Sequence, residues 1–141
     1  MTLSELQQAK ELIQRAIKSH DDLSLAQLVK RLDQYKEPAV ERVIAEALLN
    51  LALCYGAQGL PEQEMAQYRI LIERFQDSTD ENLQQEVAQA LLNLAVSYEA
   101  QGLPEQEMAQ YRILIERFQD STDETLQHQV AHALFMMYRN L

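Results

Sequence analysis

Tryptophan is absent, and cysteine, glycine and proline come close to it, with one, three and three in 141 residues. Aromatic residues make up only 6%. A turn-rich β-sandwich needs glycine and proline at regular intervals, and a collagen-like chain needs far more of both, so neither fits. A lone cysteine, Cys54, allows neither an internal disulfide framework nor a cysteine-based zinc site, and suits a reducing compartment. Basic residues are outnumbered, 12 against 22 acids, for a net charge of −10. Nucleic acids and anionic membranes require clustered lysine and arginine and are not expected partners. No stretch approaches the 18 or so apolar residues of a membrane span, and the opening MTLSELQQAKELIQ lacks the apolar core of a signal peptide. The expected setting is the cytoplasm.

What remains is rich in Leu, Ala, Glu and Gln, all good helix formers, so the expected class is all-α. Comparison of the chain with itself sharpens this. The 25 residues AQGLPEQEMAQYRILIERFQDSTDE occur at Ala57–Glu81 and again, unchanged, at Ala100–Glu124, an offset of 43. The likeness extends outward: EALLNLALCY (46–55) becomes QALLNLAVSY (89–98) and then HALFMMYRNL (132–141). Toward the N-terminus it fades, although Leu28, Val29 and Leu32 still fall in register with Leu71, Ile72 and Phe75. A period of this length is the signature of a stacked array. The expected division is a degenerate first helix pair over 1–37, faithful repeats over 38–80 and 81–123, and a terminal helix over 124–141, about seven helices in one domain.

Each repeat reads as two helices. Ile44, Ala47, Leu48, Leu51, Ala52 and Tyr55 trace one helical stripe, and Met65, Tyr68, Leu71, Ile72 and Phe75 trace another. Between them, Gly59 can adopt the left-handed conformation that ends a helix, and Pro61 has a φ suited to the first turn of the next. At the other junction, Ser78 and Glu81 have the spacing of a capping box. Pro38, Pro61 and Pro104 all fall at expected helix starts.

The run LLNLAVSYEAQGLPEQEMAQYRILIERF resembles the tetratricopeptide repeat: Leu94-Ala95, Tyr98, Gly102 and Tyr111 stand at the family's spaced Leu-Gly, Tyr, Gly and aromatic positions. Leu51-Ala52, Tyr55, Gly59 and Tyr68 match likewise. The chain departs from the pattern in three ways. Its period is 43 rather than 34, room for about two more helical turns. Glu64 and Glu107 replace a small alanine, and Gln76 and Gln119 replace the closing proline. HEAT-type helix pairs are the alternative. The resemblance implies a right-handed superhelix of antiparallel pairs, with the first helix of each pair on the concave side, and a groove there that binds a segment of a partner protein.

On that reading the groove is lined by Leu49, Asn50 and Leu53, by Leu92, Asn93 and Val96, and by Phe135, Met136 and Arg139. Glu46, Gln89 and His132 stand at its rim, with Lys10 from the degenerate pair. Leu49, Leu53, Leu92 and Val96 fit a packed core as well as a groove, because a helix that is apolar all round is usually buried. Asn50 and Asn93 interrupt the apolar run at one register. They either bond backbone within the stack or bond a ligand. The basic residues with which family members grip a chaperone's C-terminal carboxylate are largely missing, so a mixed polar and apolar groove for a helix or loop is expected.

Two other roles stay open. Phe135, Met136, Met137 and Tyr138 make the last helix apolar enough to pair with a second copy, and each duplicated block, at net −4, could present an acidic face to a basic enzyme as an inhibitor would. Catalysis is not expected. The glycine-rich phosphate-binding, GxSxG and HExxH patterns are missing, and carboxylates repeated in equal settings do not have the unlike pKa values that acid–base work needs. Glu124, His128 and His132 share one helix face, but the preceding copy has Glu81, Gln85 and Gln89 there, so drift at polar positions accounts for them. Cys54 aligns with Ser97 and reads as a packed thiol, and His20 as turn polarity. No cofactor or metal is expected.

Overall fold

A computed structural model describes residues 1–139, and among them seven helices and no strand. They are α1 (Leu3–Ser19), α2 (Asp22–Leu32), α3 (Pro38–Ala57), α4 (Pro61–Phe75), α5 (Glu81–Ala100), α6 (Pro104–Phe118) and α7 (Glu124–Arg139). The fold is an all-α array of helix pairs. All three prolines open helices, where a missing N–H costs nothing because the first-turn donors have no partner within the helix. Gly59 and Gly102 take φ of 73° and 70°, the left-handed turn that separates α3 from α4 and α5 from α6.

Two junctions differ from the expectation. His20 adopts φ 54° and closes α1, its N–H donating to the carbonyls of Ala16 and Ile17, so it ends a helix rather than decorating a loop. The expected Ser78 cap of α5 is in fact Asp80, whose carboxylate accepts from Leu83 N–H at 3.0 Å. Ser78 serves one step back, its Oγ accepting from Asp80 N–H at 3.1 Å. The next copy repeats the device with Asp123, Leu126 and Ser121. A carboxylate two residues nearer the helix carries full charge to the positive helix end, which favours it over the hydroxyl.

The chain divides into two compact units, Met1–Leu71 and Ile72–Leu141. In the first, α1, α2 and α3 pack pairwise on one another, burying Ile13, Leu25, Leu28, Leu32, Ile44 and Leu48. In the second, α5, α6 and α7 do the same around Leu91, Tyr111, Leu114 and Leu126. Each such side chain removed from water contributes about 1.5–3 kcal/mol, and this burial holds the helices together. None of the described helices is long and apolar enough to cross a membrane.

Candidate interaction surface

In the first unit a trough of about 450 Å³ is lined by Gln7, Lys10, Glu11, Gln14 and Arg15 of α1 and Glu46 of α3. It joins two residues expected at a rim, Lys10 and Glu46. The other four, Gln7, Glu11, Gln14 and Arg15, share a stripe at helical spacing with Lys10 that the degenerate N-terminal sequence did not single out. Further along α3, Leu49 and Asn50 are half-buried and Leu53 is exposed. Asn50 Nδ2 donates to the Glu46 carbonyl of its own helix at 2.8 Å.

The second unit brings α5 and α7 together. Gln85 Nε2 donates to the capping Asp123 carboxylate at 3.0 Å, and Gln129 Nε2 donates to the Gln85 carbonyl at 3.1 Å, which sets α7 against α5. On α5, Gln89 and Asn93 are half-buried and joined, Gln89 Nε2 donating to Asn93 Oδ1 at 2.9 Å, while Val96 is 53% exposed. On α7, one repeat further on, His132 and Arg139 are exposed and Phe135 is 64% exposed. Leu92 and Met136 face the core instead: at 7% and 8% exposure they offer a ligand almost nothing. Asn50 and Asn93 each bond within their own helix.

Where α5, α6 and α7 converge, a charged cluster forms that the sequence did not announce. Arg139 Nη2 lies 3.1 Å from Glu99 Oε1. Glu107 is buried, and Tyr111 Oη donates to its Oε2 at 3.3 Å. Burial, and then the Glu99 carboxylate, push the Glu107 carboxyl above its usual value, against the pull of Tyr111 and Arg139. Burial and the same carboxylates push the Tyr111 hydroxyl up to about 12. The signals in the sequence were two replacements, Glu99 for Gly56 and Arg139 for Val96 of the preceding copy.

Of the residues weighed for chemistry, His132 is already placed on the exposed face of α7. Cys54 is buried, and its thiol is raised by burial and by the Asp22 and Asp21 carboxylates, which weakens it as a nucleophile. Glu124 and His128 come within 3.8 Å of each other but are almost wholly exposed. Among the described residues no three His, Cys, Asp or Glu side chains are grouped to hold a metal.

Residues 46–78 and 89–121 each match the family model of the tetratricopeptide repeat. Comparison with curated proteins and with solved structures gives no match.

Proposed function

The chain is a tetratricopeptide-like repeat protein, and from that premise we propose that it is a non-catalytic adaptor that holds a segment of a partner protein on the exposed faces of its repeat-opening helices. Repeats of this family generally mediate protein–protein interaction. In the second unit the contact surface comprises Gln89, Asn93 and Val96 of α5 with His132, Phe135 and Arg139 of α7. In the first it comprises Leu49, Asn50 and Leu53 with the Lys10–Glu46 trough. The supporting observation is that α5 and α7, which pack on each other, carry a half-buried amide (Asn93) and large apolar side chains left in water (Val96 and Phe135). Apolar surface rewards the burial of a partner's side chains, and the amides offer hydrogen bonds to its peptide groups. A single buried thiol suits work in the reducing cytoplasm.

A peptide array read against wild type, Asn50→Ala/Asn93→Ala and Val96→Ser/Phe135→Ser tests this. Binders lost in both variants are the expected result. Unchanged binding removes these faces from the account.

A second reading is self-association through α7. Phe135 and Tyr138 are 64% and 69% exposed on that helix, a larger apolar surface than solvent contact favours. Met136 is buried and Met137 half-buried, so Phe135 and Tyr138 would carry such a contact. Light scattering separates the two readings: a strict monomer at high micromolar concentration eliminates the dimer and leaves the adaptor standing.

A further inference from the structure

The degenerate first helix pair differs from the rest of the chain in charge. Residues 1–37 hold six of the 12 basic residues and six of the 22 acids, so the whole net charge of −10 lies beyond them. Two of those basic residues meet at one cavity. Between α1 and α2 lies a cleft of about 460 Å³, distinct from the Lys10–Glu46 trough.

Its walls follow from helical spacing. Ala9, Leu12 and Arg15 stand about one turn apart on α1, and Arg31 and Leu32 close α2 beside them. Past α2 the chain makes one more turn, Tyr35 N–H donating to the Leu32 carbonyl at 3.0 Å, which brings Tyr35 to the same cleft. Ala9 and Leu32 are buried and Leu12 half-buried, an apolar floor, while both arginines are exposed. Among the described residues neither Arg15 nor Arg31 makes an ion pair.

Two unpaired guanidiniums beside an apolar floor suit an anion carried on an apolar body. Glu5 also lines the cleft, about 15 Å along α1 from Arg15, and it makes no ion pair either. With that carboxylate nearby and −10 on the chain, a singly charged carboxylate is tolerated better than a doubly charged phosphate. The same 15 Å or so matches four or five extended residues, more than a small acid fills. Arg15 also lines the Lys10–Glu46 trough, so a segment leaving one cavity can continue into the other.

We propose that the α1–α2 cleft takes an acidic and apolar segment of a partner protein. A Glu or Asp carboxylate of that segment lies between Arg15 and Arg31, and a neighbouring apolar side chain rests on Ala9, Leu12 and Leu32. This rests on the reading of the chain as a holder of partner segments, and it gives one such segment its chemistry.

The peptide acetyl-GELELG-amide, titrated into the full chain at low salt and followed by backbone ¹H–¹⁵N shifts, tests the cleft. Shifts are expected at Ala9, Leu12, Arg31 and Leu32. Exposed ion pairs set the scale: Arg15→Gln and Arg31→Gln should each weaken binding about two- to fivefold. Lys30→Gln, the same change of charge outside the cleft, should weaken it by less than about 1.5-fold. Acetyl-GQLQLG-amide and acetyl-GEAEAG-amide should both bind less well than the parent. Binding unmoved in both arginine variants, or no shift at millimolar peptide, overturns the proposal. So does octanoate, a free amphiphilic acid, if it binds more tightly and displaces the peptide. Asn50→Ala/Asn93→Ala should bind the peptide as wild type does. A peptide lost there yet kept by the arginine variants overturns the cleft and leaves the adaptor reading standing.

Discussion

Gly56 and Glu64 offer a stability test whose sign depends on the background. Replacing a helical glycine by alanine ordinarily stabilises by about 0.5–1 kcal/mol, because the unfolded chain loses freedom. Here the new methyl group would meet the Glu64 carboxyl, with Cδ and both oxygens at 2.8–2.9 Å from the Cβ position. Those atoms are the far end of a flexible side chain, so Glu64 turns away rather than the backbone moving. Turning away breaks the 2.8 Å bond from Tyr68 Oη, whose ring is buried. A hydrogen bond to a charged group is worth about 1.5–3 kcal/mol, less where one partner is half-exposed. Gly56→Ala is therefore expected to be neutral or to destabilise wild type by about 1 kcal/mol, and to stabilise Glu64→Ala by about 0.5–1 kcal/mol. Urea denaturation of the four proteins gives the coupling directly, about 0.5–2 kcal/mol. Equal effects of Gly56→Ala in the two backgrounds would refute the contact.

Further expectations follow from the caps, the core, the thiol and the buried carboxyl. Asp80→Ala should cost about 0.5–2 kcal/mol of stability, read by denaturant unfolding, and Ser78→Ala clearly less. The opposite ranking would restore the hydroxyl as the cap. Leu71→Ala and Leu114→Ala remove side chains with no exposed surface, and each should lose about 2–5 kcal/mol by chemical denaturation. Cys54 should react with iodoacetamide only when the protein unfolds, at a rate that rises with urea, and prompt labelling in native buffer would contradict its burial. Glu107 binds its proton more tightly folded than unfolded, so its contribution to stability is full below the ordinary value of 4.5 and falls as pH rises through its raised folded value. Thermal melts of Glu107→Gln should lack that decline.

The helix pairs were legible because a 43-residue repeat, three prolines and two glycines all punctuate the chain in the same places. Two caps were not. At Asp77-Ser78-Thr79-Asp80 several residues can cap, and spacing alone does not say which carbonyl starts the ladder. At Ser19-His20 the left-handed residue is a histidine, which composition marks as polar and nothing more. On the apolar opening helices periodicity could not separate exposed Val96 from buried Leu92, four residues apart on one turn of a helix packed on several sides. Asn50 and Asn93 were marked at the right register, yet their bonds within their own helices were one of two open choices. The Glu99–Glu107–Arg139 cluster needs three helices to converge, and no local pattern contains that information.

Two interchangeable segments raise a hazard for the nascent chain. Ala57–Glu81 and Ala100–Glu124 are the same string, so nothing in either tells it which seat to occupy, and a chain threaded one repeat out of step would satisfy most of its apolar contacts. The seats themselves must discriminate. One presents a bare glycine to the incoming glutamate, the other a second acid and an arginine. Register, on this view, is proofread by the hosts rather than by the guests.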